Sequence, residues 1–524
     1  MISDGDFAPS PMDTSRGGPW VVAGRRDRSA DEIRRNAAQA AGGFHECGVG
    51  EGDTIALLLR NDFPFFEASI AANLAGAYPV PINWHTTQEE AEFIMRDCGA
   101  KVLVAHQDLL PSIMNGIPAG LPILTVPTPE EISAAYQIAE ASLHDFAGQL
   151  WSDFVAACEP LDRPSDAARS AVIYTSGTTG RPKGVRRLPM LSSARPVGAA
   201  AFGFDLDGPI DVLMNGPMYH SAPNVYGMGA FQIGANIVLQ PRFDAEDMLA
   251  LIQRHKITHM HIVPTMFVRL LKLPEIVRAR YDVSSLKFVI HGAAPCPPHV
   301  KRAMIEWWGP VIYEYYGSTE TGLATFHDSH EALRKPGTVG RTLPDAVVKI
   351  FDQDGHELGP DQEGEIYIRS GSLPDFTYIG LDDKRAEVGR GDLVTVGDIG
   401  RMDSDGYLFL CDRKRDMIIS GGVNIYPAEI EAAIVAMPGV RDCAVFGIPD
   451  EDFGESVCAY VEPFGGANIT VDLLRLHLEA RLARYKLPRL TKFVSELPRE
   501  DSGKIFKRKL REPYWAAQNE EATI

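Results

Sequence analysis

The feature that most constrains this chain is a run rich in glycine and hydroxyl residues directly after a short apolar stretch. Residues 171–173, Ala-Val-Ile, are typical of the end of a buried strand, and residues 174–185 read Tyr-Thr-Ser-Gly-Thr-Thr-Gly-Arg-Pro-Lys-Gly-Val. Turned backbone amides, hydroxyls and one lysine form a concavity that suits phosphate oxygens. The Gly-Lys-Ser/Thr ending of the common P-loop is missing, because Gly184 follows Lys183. A flexible linker needs neither a preceding strand nor a rigid Arg-Pro-Lys-Gly ending, so the run predicts a phosphate-binding loop of another kind.

Length and charge limit the classes of protein to which the chain can belong. Its 524 residues suffice for two or more domains, and its formal net charge of −19 argues against non-specific binding of nucleic acid or of an anionic membrane surface. No apolar run reaches the ~18 residues that cross a bilayer, and residues 1–28 lack the apolar core of a signal peptide. The seven cysteines are scattered without a Cys-x-x-Cys pair, which predicts reduced thiols and neither disulfides nor structural zinc. A cytoplasmic location is expected.

Strand and helix patterns alternate along the first hundred residues. Apolar strand patterns occupy residues 54–59, 78–82 and 101–105, and helical patterns occupy residues 30–47, 65–75 and 87–98. This alternation predicts an α/β fold of layered, largely parallel sheets, with the proline-containing second strand near a sheet edge. Residues 337–411 combine β-branched residues with repeated Gly and Asp turns, which predicts a small antiparallel β unit. The ~100 residues that follow suffice for one small domain.

Three further strand patterns lead into short runs of polar, aromatic or small residues. Because ligands of parallel sheets gather at the carboxyl ends of the strands, these runs are site candidates. They are Pro217–His220, His291–Pro295 and Glu314–Glu320. An aromatic ring can stack on a base, and a carboxylate can hold Mg²⁺ against phosphates. By itself, however, His220 also fits a histidine that bonds to a backbone carbonyl, and the tyrosines fit core packing equally well.

A group of three histidines raises the alternative of a metal site. His255, His259 and His261 have a spacing compatible with metal ligands, but His259 and His261 lie in a strand pattern and His255 ends the preceding helix pattern. No carboxylate or cysteine completes the set in the sequence, so a metal site is not expected here.

In combination, the motifs resemble those of the AMP-forming adenylating superfamily, which comprises acyl-CoA synthetases, luciferases and peptide-synthetase adenylation domains. The resemblance covers about residues 30–512, and its motifs include the 174–185 loop, the Tyr-Gly-Ser-Thr-Glu string at residues 316–320 and the Gly-Lys pair at residues 503–504. It implies a large N-terminal domain of layered α/β sheets plus a small β unit, over residues 1–414. A small, mobile α+β C-terminal domain over residues 415–524 would rotate about a hinge at Arg415.

The resemblance also implies which residues handle ATP and Mg²⁺. Tyr316 would stack on adenine, Asp398 would accept the ribose hydroxyls, and Glu320 would bind Mg²⁺. Catalytic roles would fall to Lys504, Glu320, Thr175 and His220. The implied ATP- and AMP-binding set is Thr175, Ser176, Gly177, Thr178, Thr179, Lys183, Gly292, Ala293, Ala294, Tyr316, Gly317, Thr319, Asp398 and Arg413.

Two glycines, Gly421 and Gly422, match the loop past which relatives slide the pantetheine arm of coenzyme A. Two departures from the family pattern are visible: Val423 stands where many relatives carry Glu, and Val396 stands two residues before Asp398 where the family has Thr. The resemblance thus implies ATP, Mg²⁺, coenzyme A and a small-molecule carboxylic acid as cofactors and partners, without nucleic acid. It leaves open whether the protein is a monomer or a homodimer.

The acyl pocket implied by the resemblance is formed by His220, Ala222, Asn224, His291, Tyr315 and Gly317, and the strand end at His291 would close it. Tyr315 stands where many relatives with aromatic substrates have Gly or Ile. Asn224 stands where one long-chain branch has a gating Trp, and Ala222 stands where plant hydroxycinnamate ligases carry Tyr. These departures favour a hydrophobic acid of intermediate bulk, which is a medium- to long-chain fatty acid or an arylalkanoate.

The activity implied is that of an acyl-CoA synthetase, which forms acyl-AMP and pyrophosphate and then acyl-CoA and AMP. Three further activities of the superfamily stay open: a CoA ligase for hydroxycinnamate- or benzoate-type acids, a ligase that loads a carrier protein, and a luciferase-type monooxygenase. A nucleotide-binding module without activity is disfavoured, because binding alone would not need both Lys504 and Glu320.

Overall fold

The alternation of strands and helices predicted for the first hundred residues is present in the computed structural model. The structure describes residues 18–139, 147–175, 182–191, 199–371, 373–413, 416–420, 423–450, 452–499 and 505–521. It consists of a large N-terminal domain of sheets and helices and a smaller α+β C-terminal domain, which confirms the predicted fold class.

Most of the predicted helices begin and end within two residues of their expected bounds. Local signals explain this, because the Ser29 side chain accepts the backbone N–H of Glu32 and Thr87 forms a capping box with Glu90. The helices are α1 (Ala30–Glu46), α2 (Phe63–Leu74), α3 (Gln88–Asp97), α4 (Leu110–Ile113), α5 (Glu130–Tyr136), α6 (Trp151–Ala157), α7 (Ser221–Gln232), α8 (Ala245–His255), α9 (Pro264–Leu271), α10 (Glu275–Arg278), α11 (Pro298–Trp308), α12 (Ser329–Arg334), α13 (Asp382–Glu387), α14 (Pro427–Val435), α15 (Val471–Glu479) and α16 (Lys507–Glu521).

The strands belong to a large sheet, a parallel five-stranded sheet, two small antiparallel sheets and a C-terminal sheet. They are β1 (Trp20–Ala23), β2 (Arg26–Ser29), β3 (Thr54–Leu58), β4 (Tyr78–Pro81), β5 (Val102–His106), β6 (Ile123–Val126), β7 (Gln149–Leu150), β8 (Ala167–Ala168), β9 (Ile173–Thr175), β10 (Lys183–Arg187), β11 (Met190–Leu191), β12 (Asp211–Met214), β13 (Asn236–Leu239), β14 (His259–Ile262), β15 (Phe288–His291), β16 (Ile312–Ser318), β17 (Gly322–His327), β18 (Thr338–Thr342), β19 (Ala346–Phe351), β20 (Gly364–Ser370), β21 (Phe376–Tyr378), β22 (Gly389–Arg390), β23 (Leu393–Val394), β24 (Asp398–Met402), β25 (Tyr407–Arg413), β26 (Ile418–Ser420), β27 (Val423–Ile425), β28 (Val440–Asp450), β29 (Gly454–Pro463) and β30 (Leu490–Phe493).

The order of the strands places their carboxyl ends together. In the five-stranded sheet the order is β4-β3-β5-β6-β7, so β4 lies at the edge, as its prolines predict. In the large sheet, β1, β13, β12, β14, β15 and β16 are parallel neighbours. The antiparallel strand β17 then continues this sheet into a β unit, which is formed by β18, β19, β20, β22, β23, β24 and β25. The predicted small antiparallel unit is therefore an extension of the large sheet.

The helices lie between and outside the two larger sheets. Ile33 of α1 and Phe65 of α2 share one buried cluster with Ile55 of β3 and Val212 of β12, so α1 and α2 are packed between the sheets. The helices α8, α9 and α11 cover the other face of the large sheet, and α3 and α4 cover the other face of the five-stranded sheet. This layering leaves the carboxyl ends of the parallel strands uncovered by helices, where a ligand can enter.

Two strands are longer than the sequence pattern predicts. The strand β16 continues to Ser318, and β15 continues to His291, although both stretches were expected to follow their strands. The antiparallel pairing of β16 with β17 keeps the longer strand extended, since Tyr315 faces Phe326 and Tyr316 faces Thr325. The Tyr-Gly-Ser motif is thus part of a hairpin.

The C-terminal domain has a hydrophobic core of its own. This core includes Ile418, Ile430, Val445 and Leu474 from the strands and helices of that domain. The boundary predicted at residues 414 and 415 lies outside the described residues and stays a prediction. Within the described ranges, no helix is long and apolar enough to span a bilayer.

Candidate active site

A cavity of about 1650 Å³ lies at the carboxyl ends of β12, β14 and β16 and continues to the small sheet of β9, β10 and β21. We call it the central cavity. Pockets for one drug-sized ligand measure roughly 300–1,000 Å³, so this space can take more than one small molecule. The sequence-predicted residues that line it are Thr175, Lys183, His220, Ala222, Asn224, Ala293, Ala294, Tyr315, Gly317, Thr319 and Glu320.

Several predicted site residues lie outside the described ranges. They are Ser176, Gly177, Thr178 and Thr179 of the loop, the hinge residue Arg415, the paired Gly421 and Gly422, and Lys504. Two residues near Lys504 in the chain, Arg499 and Phe506, do line the central cavity, as does Lys509. The C-terminal domain therefore contributes to the wall of this cavity.

The two ends of the predicted phosphate loop are fixed beside each other. Thr175 ends β9 and Lys183 begins β10, and the two residues are partners in the antiparallel pairing of these strands. The ammonium group of Lys183 lies 5.1 Å from the centre of the Tyr378 ring. Both Thr175 and Lys183 line the central cavity.

The hairpin between β16 and β17 carries Thr319 and Glu320 at its tip. Ser318 shapes the tip, because its hydroxyl accepts the backbone N–H groups of Glu320 at 3.2 Å and Thr321 at 3.0 Å. Gly317 is required by close packing, since a Cβ atom there would lie 1.9 Å from the carbonyl oxygen of Gly322. The motif thus presents a hydroxyl and a carboxylate to the central cavity.

Two residues that the sequence analysis missed hold this tip. The Tyr378 hydroxyl donates to Glu320 Oε1 at 3.0 Å, and Arg187 donates to the main-chain carbonyls of Thr319 and Glu320. Burial raises the pKa of Tyr378, so its hydroxyl stays protonated and can donate. A sequence signal for Arg187 did exist, because alternate strand residues share a face and Arg187 is four residues after Lys183.

Tyr316 and Asp398 contact each other. The Tyr316 hydroxyl donates to Asp398 Oδ2 at 2.7 Å, and both residues are only 8% exposed. Neither is among the residues that line the central cavity, although Thr395, Val396 and Gly397 are. Tyr315 and Tyr316 face opposite sides of β16, as successive strand residues must. Arg413 pairs with Asp398 across the strands β25 and β24.

His291 does not close the acyl pocket, which corrects the prediction from sequence. It is fully buried, and its ring packs edge-on against Phe267 of α9, with a centroid separation of 5.3 Å. Phe267 belongs to the cluster on the far face of the large sheet, so His291 points away from the central cavity. Burial lowers the pKa of His291 to about 3, and the imidazole is therefore neutral.

Gly292 is likewise absent from the cavity wall, whereas the next two residues are present. Its role is packing: a Cβ atom on Gly292 would lie 2.6 Å from the Tyr315 ring. Ala293 has φ of 66°, a left-handed backbone conformation that is uncommon for alanine. Such conformations cluster at functional sites, where the surrounding structure holds them.

One face of α7 forms an apolar wall of the central cavity. Ala222, Val225, Met228 and Gly229 line it, with the three- and four-residue spacing of a helix face. Asn224 also touches the cavity, but its side-chain amide donates to the carbonyl of Met218 at 2.9 Å. That bond ties the start of α7 to the segment before His220.

The histidines of β14 are hydrogen-bonded to protein groups. His259 contacts the carbonyl of Gly203 at 3.0 Å, and His261 contacts the Tyr315 hydroxyl at 3.0 Å. Among the described residues, three possible metal ligands come together only at Asp352, Asp354 and His356, which lie on a largely exposed turn away from the central cavity. An acidic surface turn of this kind is common without a bound ion.

Comparison with known proteins identifies the family. The family model described as AMP-binding enzyme matches residues 14–373, and the model of the AMP-binding enzyme C-terminal domain matches residues 429–504. The chain belongs to the AMP-binding enzyme family. Together the two models span both structural domains, in agreement with the resemblance seen in the sequence.

Relatives of this AMP-binding enzyme match it over nearly its whole length. It is similar to a feruloyl-CoA synthase of an Amycolatopsis species, with 32% identity over 96% of this chain and 97% of the relative. A long-chain-fatty-acid–CoA ligase of Bacillus subtilis is 31% identical over 90% of this chain and 87% of the relative. The structure of ATP-bound MatB from Rhodopseudomonas palustris has a TM-score of 0.80 and 28% identity, and it covers 95% of this chain and 96% of MatB. The chain is therefore an AMP-forming acid–thiol ligase, a class of enzyme that uses ATP, Mg²⁺ and coenzyme A.

The residues at the central cavity fit these molecules. A carboxylate such as that of Glu320 is an oxygen ligand of the type that Mg²⁺ prefers, and Tyr378 fixes its orientation. Lys183 and Arg187 line the same cavity and bring positive charge, while Thr175 and Thr319 bring hydroxyl groups. These groups suit a polyphosphate, and bound Mg²⁺ would supply neutralisation of its negative charge.

Proposed function

We propose that this chain is a carboxylic acid:CoA ligase for a hydrophobic acid of intermediate bulk, either a medium- to long-chain fatty acid or an arylalkanoate. The observation that carries the proposal is the apolar face of α7, where Ala222, Val225 and Met228 line the central cavity. Tyr315 sets the upper limit on bulk, because its ring occupies space that a bulkier acid would need.

The relatives support a hydrophobic acid without choosing one. The name feruloyl-CoA synthase denotes an aromatic acid, and the Bacillus subtilis ligase is named for long-chain fatty acids. Both kinds of acid consist of a carboxylate and a largely apolar group. A ligase for hydroxycinnamate-type acids is the second candidate, and the 32% identity to the feruloyl-CoA synthase is the observation that favours it.

The proposed first step is in-line attack of the carboxylate on the α-phosphate of ATP, which releases pyrophosphate and leaves acyl-AMP. Both reactants are anionic, so the protein acts by positioning and by charge neutralisation. Lys183 and the hydroxyls of the 176–179 loop would hold the β- and γ-phosphates, and Glu320 would hold Mg²⁺. Lys504 would bridge the carboxylate and the α-phosphate.

The proposed second step is attack of the CoA thiol on the acyl-AMP, which forms the thioester and releases AMP. The C-terminal domain would turn about Arg415 between the steps, so that Gly421 and Gly422 replace Lys504 at the cavity. His220 lines the central cavity at the start of α7 and would contact the acyl group near its carboxylate.

The experiment is a measurement of kcat/KM for AMP release with CoA over straight-chain acids of increasing length, phenylalkanoates and hydroxycinnamates. The proposal expects the highest kcat/KM for medium- to long-chain acids or phenylalkanoates. A clear preference for hydroxycinnamates would instead establish the second candidate. Activity with a carrier protein and none with CoA would refute the proposed acceptor.

The variant Tyr315→Gly tests the position of the acyl group. Removing the ring should shift the ranking toward bulkier acids, on the scale of 1–3 kcal/mol (~10- to 200-fold) that pocket reshaping produces. Tyr313→Phe is the control, because Tyr313 lies on the same strand but stacks on Phe288 at a centroid distance of 3.9 Å. An unchanged ranking in Tyr315→Gly would place the acyl group elsewhere.

A further inference from the structure

Arg187 is a buried cation whose hydrogen bonds to the described residues go to main-chain carbonyls. Its guanidinium donates to Pro374 at 2.9 Å, to Thr319 at 2.6 Å and to Glu320 at 2.9 Å. The residue is 8% exposed and follows the predicted phosphate loop on β10. Three bonds from one planar group fix the Thr319–Glu320 tip relative to this strand.

The charge of Arg187 is not neutralised by a direct ion pair within the described residues. Burial lowers the pKa of Arg187 to about 10, and the negative charges of Glu320 and Asp375 oppose that effect. The guanidinium therefore remains charged at neutral pH. A buried charge with neutral partners is costly, and an anionic ligand in the adjoining cavity would reduce that cost.

The strand β10 connects Arg187 to the phosphate loop. Lys183, Val185 and Arg187 all line the central cavity, as alternate residues of one strand should. The neighbouring strand β21 pairs with β10 and carries Tyr378, whose hydroxyl donates to the Glu320 carboxylate. The Thr319–Glu320 tip is therefore held by two adjacent strands: Arg187 of β10 binds its backbone, and Tyr378 of β21 binds the Glu320 side chain.

We propose that Arg187 is a positioning residue that holds the Glu320 carboxylate in register with Lys183 on β10, so that Mg²⁺ and the polyphosphate of ATP bind as one unit. Arg187 acts through the backbone of Thr319 and Glu320, and its charge adds to the field at the phosphates. The inference rests on the proposed role of Glu320 as the Mg²⁺ ligand. Its consequence is that loss of Arg187 weakens the coupling between Mg²⁺ and ATP.

Arg186 provides a matched control on the same strand. It is the adjacent residue, of identical chemistry, but it is absent from the wall of the central cavity. Its guanidinium donates to the carbonyl of Gly52 at 3.1 Å and lies 4.3 Å from the centre of the Tyr78 ring. Substitution of Arg186 removes the same positive charge from β10 without releasing the Thr319–Glu320 tip.

The test is the dissociation constant of ATP, measured by calorimetry with and without Mg²⁺ for the full-length protein. For the wild type, Mg²⁺ should tighten ATP binding. In Arg187→Gln, the factor by which Mg²⁺ tightens ATP binding should be smaller by about tenfold or more, which is the scale of losing charged hydrogen bonds. Arg187→Lys should recover part of this factor. Arg186→Gln should keep the wild-type ratio. In kinetics, the KM for MgATP should rise in Arg187→Gln while the KM for the acid stays unchanged.

Tyr378→Phe keeps the test decisive if Arg187→Gln does not fold. This variant removes only the hydroxyl that contacts Glu320 and should also reduce the effect of Mg²⁺ on ATP binding. The ratio compared is that of the ATP dissociation constants without and with Mg²⁺. If Arg187→Gln folds and keeps the wild-type ratio, the role of Arg187 is refuted. If Arg187→Gln does not fold, wild-type ratios in both single variants, Arg187→Lys and Tyr378→Phe, refute it. Glu320→Gln separates the two hypotheses, because an unchanged ratio in that variant would refute the Mg²⁺ role of Glu320 itself.

Discussion

The Nε2 atom of His261 and the hydroxyl oxygen of Tyr315 lie 3.0 Å apart, and both side chains are buried at the wall of the central cavity. The Tyr315 ring also packs closely against Gly292, where a Cβ atom would lie 2.6 Å from the ring. Phe202 meets the same ring edge-on at a centroid distance of 6.4 Å. If the acid binds beside Tyr315 as proposed, a ring held in this way would limit the bulk of the acid, and His261 would act on that limit through Tyr315.

Substitution of His261 should therefore change the choice of acid. In His261→Leu the hydrogen bond is lost and the Tyr315 ring gains freedom, so kcat/KM should shift toward bulkier acids by up to ~10-fold, less than in Tyr315→Gly. His261→Gln is the matched control, because its amide can replace the imidazole as the partner of the hydroxyl. The measurement is kcat/KM across the same panel of acids. Equal rankings in His261→Leu and wild type would show that the hydrogen bond does not restrain the ring.

The protonation of His261 should make stability depend on pH. Burial lowers its pKa to about 4, below the ordinary value of about 6.5 that it regains on unfolding. The folded state therefore favours the neutral imidazole, whose contribution is complete above about pH 6.5 and is lost as the pH falls through about 4. The contribution is on the order of 1–3 kcal/mol.

Calorimetric Tm values from about pH 7.5 to about pH 5 check this expectation. The Tm of the wild type should fall more steeply with acid than that of His261→Gln, which has no group that titrates at this position. His255 and His291 also have pKa values lowered by burial, to about 4 and about 3, but they are common to both proteins. Parallel Tm curves would mean that His261 takes up its proton equally in both states.

The sequence was sufficient to predict the fold class and eleven of the residues that line the central cavity, because strand ends and glycine-rich turns are local signals. It placed Thr175, Lys183 and Glu320 in motifs that the structure brings to one cavity. The direction of the His291 side chain was not predicted, because the sequence pattern ended the strand at Ile290, whereas β15 includes His291. As the last residue of β15, His291 follows the alternation of the strand and shares the face of Val289, which belongs to the cluster on the far side of the sheet.

Long-range contacts were the other part that the sequence pattern did not reveal. Arg187 and Tyr378 both contact Glu320, although they lie on paired strands, β10 and β21, that are separated by almost two hundred residues. Likewise, the bond between Tyr316 and Asp398 joins two motifs that the sequence assigned to adenine and ribose separately. Pairing between distant strands decides such contacts, and single motifs carry no information about it.

The hinge prediction concerns Arg415, which lies outside the described residues. A hinge must change its backbone angles, and proline fixes φ near −65°. Arg415→Pro should therefore keep acyl-AMP formation and stall thioester formation. The measurement compares ATP–pyrophosphate exchange with acyl-CoA formation in the same preparation. Normal rates in both assays would place the pivot at another residue.

The last prediction concerns Lys504, whose chain neighbours Arg499 and Phe506 line the central cavity. If Lys504 bridges the carboxylate and the α-phosphate, and if the C-terminal domain then rotates as proposed, Lys504 acts only in the first step. Lys504→Ala should slow acyl-AMP formation by roughly 10² or more, the scale of losing one preorganised charge in an active site.

The second step provides the control within the same variant. Acyl-AMP supplied to Lys504→Ala should react with CoA at nearly the wild-type rate, because the thiol attack does not involve this side chain. Lys509→Ala is a second comparison, since Lys509 lines the same cavity from α16 and its substitution removes an equal charge. Its loss should leave acyl-AMP formation within about tenfold of wild type, because Lys509 is exposed and salt screens its charge. Equal losses in both half-reactions of Lys504→Ala would contradict the assignment and point to a general effect on folding or domain closure.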